Sequence, residues 1–293
     1  MSRHIPVLLN EVMESLSLKK GDIVIDCTLG DAGHAEKILE KIVPGKLVGI
    51  DNDLEAVLRA KRFLYRFEDN FVAVRDNFVN LKKIVEKLEL KKVNSILMDL
   101  GWSSPQFAER GRGFSFRNPD EDLDMRYGAE DDVKNAADIL NEYSEEELSR
   151  VFRRYGEEKK SLAVAKNIVE NRKHEKILKV GQLVDICLKI IGRHEKIHPA
   201  TRVFQALRIE VNNELEVLRQ ALPQAIEVLA QDGRLAVISF HSLEDRIVKQ
   251  LFKKYEQEGI IKLINSKVII ASPMEIKDNP KSRSAKLRVI SKK

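Results

Sequence analysis

The sequence predicts an α/β fold, a mostly parallel sheet covered by helices and interrupted by an all-helical insert. Two observations carry this reading. Short Val- and Ile-rich runs alternate with amphipathic helical patterns through the first third of the chain, and strand patterns then disappear from 107 to 212 before returning.

"DIVIDCT" (22–28), "KLVGID" (46–51), "FVAVRD" (71–76) and "SILMDLG" (95–101) have strand length and are bounded by Gly, Asp or Asn. Between them, "HAEKILEKI", "DLEAVLRAKRFLYRF" and "NLKKIVEKLEL" place apolar residues at helical spacing with charges opposite. Such a βαβαβαβ series implies parallel strands buried on both faces. After a connection rich in Gly, Phe and Arg, "SEEELSRVFRRYG" opens with a capping box from Ser144 to Glu147, and Gly156 stands where that helix should end. "KKSLAVAKNIVENR" and "KVGQLVDICLKII" read as two more helices, and "NNELEVLRQALPQAIEVLAQ" as a long one leading into the strand "GRLAVISF" (233–240). The closing "IIKLINSKVII" and "AKLRVIS" suit an antiparallel hairpin at the sheet edge. The expected organisation is an α/β domain from 1–106 and 213–293, with a helical domain from 107–212 inserted.

A chain of 293 residues with 43% hydrophobic and 33% charged residues is globular rather than disordered. No apolar run approaches the ~18 residues of a membrane span, and acids interrupt the N-terminus where a signal peptide would be apolar, so a cytoplasmic location without membrane contact is expected. Cys27 and Cys187 lie far apart and form no C-x-x-C pair, which argues for reduced buried thiols and against structural zinc. A net charge of +5 is modest, but the last 13 residues hold six Lys or Arg and no acid, either a solvated tail or a phosphate-binding one.

Ligands of open parallel sheets bind beyond the carboxyl ends of the strands. All four early strands end in an acid: Asp26, Asp51, Asp76 and Asp99. The turn "DCTLGDAGHAEK" places Gly30 and Gly33 before a helix, where glycine permits close backbone approach. It does not fit G-x-G-x-x-G, and Asp26 and Asp31 would repel a dinucleotide pyrophosphate. A cationic ligand suits them better; S-adenosylmethionine carries a sulfonium and an ammonium. Asp51, 25 residues after Asp26, is placed to accept ribose hydroxyls, and Phe78 to pack on adenine.

"HIPVLLNEVMESL", "DCTLGDAGHAEKIL", "DLGWSSPQ", "GRGFSF", "LDMR", "HPATRVFQALRIEVNNEL" and "ISFHSLEDRIVK" together resemble the RsmH (MraW) family of bacterial methyltransferases, which modify N4 of a cytidine in the decoding centre of 16S ribosomal RNA. The resemblance runs in order from residue 4 to 249. It implies a Rossmann-like class I methyltransferase domain with a seven-stranded sheet, S-adenosyl-L-methionine as cofactor, and small-subunit ribosomal RNA or the 30S particle as partner, recognised by the insert. Ala32, Gly33, His34, Asp51, Phe78, Asp99 and Gln106 are its implied cofactor contacts. Ala32 stands where the family often has Gly.

Cytosine's exocyclic nitrogen delocalises its lone pair into the ring, so an enzyme must hold it in line with the methyl–sulfur bond and draw its N–H groups onto acceptors. Ser103, Ser104 and the stiff Pro105 in "WSSPQ" offer such acceptors, resembling imperfectly the loop of amino methyltransferases. Asp99 is suited to the sulfonium or the released proton, and His241 to accepting that proton. Gln106 replaces the expected stacking aromatic, leaving Trp102, Phe114, Phe116 and Phe240 as platforms. Arg110, Arg112, Arg117, Arg202 and the basic tail are candidates for flanking phosphates. Direct transfer without metal or covalent enzyme–base intermediate is expected. A zinc deaminase lacks P-C-x-x-C beside its "HAE" at 34–36, a dinucleotide oxidoreductase conflicts with Asp26 and Asp31, and a non-catalytic assembly factor has no need of the acceptor loop.

Overall fold

The computed structural model describes residues 5–101, 111–128, 133–192 and 197–293. The chain divides into two compact units, Met1–Ser103 with Leu215–Lys293, and Ser104–Glu214.

In the first unit, α1 (Leu9–Leu16) precedes β1 (Ile23–Asp26), α2 (Gly33–Ile42), β2 (Lys46–Asp51), α3 (Leu54–Phe63), β3 (Phe71–Arg75), α4 (Leu81–Lys87) and β4 (Val93–Asp99). These four strands and β5 (Leu229–Ser239) are all mutually parallel, in spatial order β3-β2-β1-β4-β5. Side chains alternate across the sheet as the pleat requires. Ile96 and Met98 of β4 join Leu81, Ile84, Val248 and Phe252 on one face. Leu97 joins Val12, Leu16, Ile38 and Leu39 on the other.

The C-terminal strands differ from a simple edge hairpin. β6 (Ile261–Leu263) and β7 (Ile269–Ile270) both pair antiparallel with β8 (Lys286–Lys292), and β8 lies inside the sheet between β5 and β6. Eight strands therefore fill seven positions. The basic tail is accordingly no solvated extension: Leu287, Val289 and Ile290 are fully buried. Three of its six cations have internal partners, while Lys281, Arg283 and Lys293 are exposed. Arg288 donates to both Asp245 oxygens (2.8 and 3.3 Å), Lys286 Nζ lies 3.5 Å from Asp245, and Lys292 Nζ donates to the Glu227 and Leu229 carbonyls.

Among the described residues of the second unit, five helices follow one another: α5 (Ala136–Glu142), α6 (Glu145–Gly156), α7 (Ser161–Asn171), α8 (Val180–Ile191) and α9 (Ala200–Asn212). The capping box closes as expected. Ser144 Oγ accepts the Glu147 amide at 3.2 Å and Glu147 Oε2 accepts the Ser144 amide at 2.8 Å. Gly156 has another reason to be glycine: it is still helical, Glu157 takes the left-handed cap (φ 51°), and a Cβ at 156 would stand 2.5 Å from the Arg202 carbonyl of α9. The long helix expected from 212 begins instead at Glu214, because Asn213 turns left-handed (φ 49°) and separates α9 from α10 (Glu214–Val228).

Candidate active site

The strand order reverses at β1, which pairs with β2 on one side and β4 on the other. Doubly wound sheets take ligands in the crevice outside such a point. Asp26, Asp51 and Asp99 end the strands that form it. Asp76 follows β3 at the same edge, but its carboxylate accepts the Asn77 amide (2.7 Å) and Asn80 Nδ2 (2.8 Å) and so belongs to the local turn.

The three crevice acids share an electrostatic predicament. Burial pushes the Asp26 carboxyl up to about 7, against hydrogen bonds from the Thr28 amide (3.1 Å) and hydroxyl (3.4 Å). Burial raises Asp51 to about 6, although the Asp53 and Gly30 amides donate to it at 2.9 and 2.8 Å. Asp99 is raised well above the carboxylate range, first by burial and then by Asp26 and Glu244 nearby. Its Oδ1 is buried without a hydrogen-bond partner. A cation in the crevice would relieve all three.

The turn between β1 and α2 is held from both ends. Gly30 (φ 48°) directs its amide to Asp51, and Ala32 is left-handed at φ 59°, buried, capping α2. That conformation explains why glycine suits position 32, since a Cβ in it costs about 1–2 kcal/mol. At Gly33 the close approach comes from the chain itself: a Cβ would stand 2.5 Å from the Pro6 ring. The segment Ile5–Leu8 is secured by Asn279 Nδ2 on the Ile5 carbonyl (3.0 Å) and by the Leu8 amide on Glu275 (2.7 Å). His34 is buried on the first turn of α2, with Nε2 3.0 Å from the Val7 carbonyl and Nδ1 3.6 Å from Asp99 Oδ2.

Phe78 opens a short turn beyond β3 and packs half-buried against the core beside α4. Phe240, directly after β5, lies against Gly101, where the loop beyond β4 departs. His241 caps the helix α11 (Ser242–Gln257): Nδ1 accepts the Glu244 amide at 3.4 Å, while Nε2 lies 3.2 Å from Glu244 Oε1 at an angle that makes no hydrogen bond. One ring nitrogen of His241, the expected proton acceptor, is thus engaged in capping. Trp102, Ser103, Ser104, Pro105, Gln106 and Arg110 lie outside the described residues.

In the helical unit, Phe114 is buried and stacked on Tyr127 (centroids 5.6 Å apart), while Phe116 stacks on His198 at 4.4 Å. Arg112 donates to the Arg126 carbonyl (3.2 Å), Arg202 lies 3.8 Å from Glu158, and Arg117 is exposed.

Thr28 and Glu244 were not singled out from sequence. The Asp99 amide donates to Thr28 Oγ1 at 2.7 Å, coupling the ends of β1 and β4. Glu244 is 3% exposed, its Oε2 accepting the Phe240 amide at 2.8 Å. Only its capping-box position after His241 marked it in advance.

A parallel β3-β2-β1-β4-β5 sheet, extended by an antiparallel strand between β5 and the outermost position, with buried acids at its switch point, defines a class I methyltransferase domain. The chain belongs to the MraW methylase family, which matches residues 1–293. It is 48% identical to the ribosomal RNA small subunit methyltransferase H of Dictyoglomus thermophilum over 289 residues, 98% of this chain and 96% of that one. The proteins of the same name from Clostridium botulinum and a Sulfurihydrogenibium species are each 46% identical, covering 99% of both chains.

Proposed function

We propose that this protein transfers a methyl group from S-adenosylmethionine to the exocyclic N4 amino group of a cytidine in the decoding region of 16S ribosomal RNA. The carrying observation is the crevice of three carboxyl groups, Asp26 buried and Asp51 and Asp99 half-buried, the last with a buried, unpartnered oxygen. Family membership and the names of the relatives support the ribosomal substrate.

When bound, S-adenosylmethionine supplies a methyl group made electrophilic by its sulfonium. Asp99 and Asp26 favour the positive end of the ligand, and Asp51, whose oxygens retain lone pairs beyond the Gly30 and Asp53 bonds, accepts ribose hydroxyls. Gly30, Ala32, Gly33 and His34 would shape the turn around it and Phe78 would pack on the adenine, and the family resemblance adds Gln106 to the contacts. Ser103, Ser104 and Pro105 hold the amino group in line. Asp99, or solvent, would take the proton that the amino group gives up on methylation. His241, whose Nδ1 caps the following helix by accepting the Glu244 amide, is the second candidate to take that proton. Neither cysteine is poised for covalent catalysis: burial and Asp26 push the Cys27 thiol up, and burial and Glu158 push Cys187 to about 12.

Incubation with labelled S-adenosylmethionine and small subunits from cells lacking the protein, followed by nucleoside mass spectrometry, tests the reading. N4-methylcytidine is expected; label on another base or none at all overturns it.

A further inference from the structure

Binding RNA requires cations to neutralise its phosphates, and their distribution here is unexpected. The helical unit holds 20 Lys or Arg against 21 Asp or Glu, whereas the methyltransferase unit holds 31 against 25. The excess is not at the crevice, which is acidic, nor in β8, whose Lys286, Arg288 and Lys292 have internal partners.

It gathers at the opposite edge of the sheet. Lys19 and Lys20 precede β1, which ends in Asp26. Lys46 opens β2, which ends in Asp51, and Lys91 and Lys92 precede β4, which ends in Asp99. Lys46 is paired with Ile23, so these starts are neighbours. β1, β2 and β4 thus start beside lysines and end in acids, whereas β3 is preceded by Glu68 and Asp69 and ends in Arg75.

At the cationic edge a cavity of about 360 Å³ is lined by Lys19, Lys92, Arg234, Asn94, Asp22 and Asp232, among others. The Lys19 and Lys92 ammonium groups have no ion-pair partner among the described residues, and both residues are exposed. Arg234 is fixed by a hydrogen bond from Nη1 to the Ser15 carbonyl (2.5 Å), leaving its other N–H groups. Asn94 accepts the Ile23 amide with Oδ1 (3.0 Å), which turns its amide nitrogen away from that bond. Asp22 Oδ2 accepts the Lys19 amide (2.8 Å), so its second oxygen remains, as does the Asp232 carboxylate. Cationic donors flanked by carboxylate acceptors match a phosphate beside a ribose 2′-hydroxyl.

We infer that this cavity is a second RNA-docking site, which grips one phosphodiester and its ribose in the substrate's backbone, away from the base being methylated. β4 has seven residues, which puts the site roughly 20 Å from the crevice at ~3.3 Å per residue. The substrate must therefore present backbone at both edges, which a folded ribosomal particle does and a short oligonucleotide does not. This inference rests on the ribosomal RNA reading above, which label transfer by the unaltered protein tests separately.

The experiment compares the unaltered protein with the double variant Lys19→Glu, Lys92→Glu for binding intact small subunits across a potassium chloride series, alongside S-adenosylmethionine titration and thermal unfolding. The variant should bind subunits about tenfold more weakly near 0.1 M salt, with a log K against log salt slope shallower by roughly 1.5, and with cofactor affinity and Tm unchanged. Lys19→Arg, Lys92→Arg should restore subunit binding. Unchanged subunit affinity and slope overturn the inference. So does a result in which millimolar inorganic phosphate protects the unaltered protein from unfolding, and the Glu variant less, while both bind subunits equally, since the cavity is then a small-anion site.

Discussion

His34 bridges two parts of the methyltransferase unit: its Nε2 lies on the Val7 carbonyl at 3.0 Å and its Nδ1 faces Asp99 Oδ2 at 3.6 Å. The first contact makes Nε2 the protonated nitrogen of the neutral ring, so Nδ1 offers a lone pair to the raised Asp99 carboxyl. The N-terminal segment therefore holds the ring that faces this acid. His34→Ala should cost about 2–3 kcal/mol in denaturant unfolding through the cavity and the orphaned Val7 carbonyl, and should slow single-turnover transfer. His34→Gln, which keeps a donor, should recover most of the stability but not the rate.

Asp26 at about 7 and Asp51 at about 6 carry more protons folded than unfolded over the range above the ordinary value of 3.8. Their contribution to stability is full below that value and is lost as pH rises through 6 and 7. The ligand-free protein should accordingly lose thermal stability between pH 5 and 7.5. Affinity for S-adenosylmethionine should rise over the same window, by up to roughly tenfold per pH unit below each value. Calorimetric titration at pH 5.5 and 7.5 measures this directly, and a pH-independent Kd would remove the cationic-ligand argument.

The proposed mechanism assigns Asp99 and Ser104 different tasks. Asp99→Ala should weaken cofactor binding and transfer together. Ser104→Ala should leave the cofactor Kd within about twofold while lowering the single-turnover rate by roughly one to two orders of magnitude, the scale of a transition-state hydrogen bond. Equilibrium dialysis paired with rapid quench separates the two effects.

Arg288→Ala removes a forked pair that holds Asp245 below its ordinary value despite the opposing effect of burial. The loss should be about 2 kcal/mol. Because Asp245 is depressed, that contribution is present above pH 3.8 and fades as pH falls through the folded value, so variant and parent should converge in acid unfolding curves.

Ala32→Gly should be stabilising by about 0.5 kcal/mol. Relief of the left-handed Cβ, about 1–2 kcal/mol, outweighs the added freedom of the unfolded chain, about 0.4–1 kcal/mol. Urea unfolding resolves a difference of this size.

The first four strands and their acid ends were legible because parallel strands are apolar throughout and stop abruptly at Asp26, Asp51 and Asp99. The Ser144 capping box was legible because its chemistry spans only three residues. The position of β8 was not: "AKLRVIS" read as half of an edge hairpin, whereas the sheet places it between β5 and β6, a choice of neighbours that no local pattern encodes. The packing of Gly33 on Pro6 was not legible, because nothing in the local sequence announces it. The edge-to-edge charge polarity was written in the sequence all along. It becomes visible only once parallel pairing aligns Lys19, Lys46 and Lys92 on one side and Asp26, Asp51 and Asp99 on the other.

β4 and β5 are hydrogen-bonded neighbours, yet Asp99 and Leu229 are separated by the whole helical unit. Closing so long a loop before any sheet contact rewards it is entropically costly and slow. The helices of the second unit are built from local contacts and can collapse first, drawing the two strand ends together and shortening the effective loop. A sheet of β1 to β4 without β5 would have an open edge at β4, prone to pairing with other chains. The insert thus acts as a folding staple, and loosening its helical core should slow sheet completion and promote aggregation during refolding, even where the finished protein is barely destabilised.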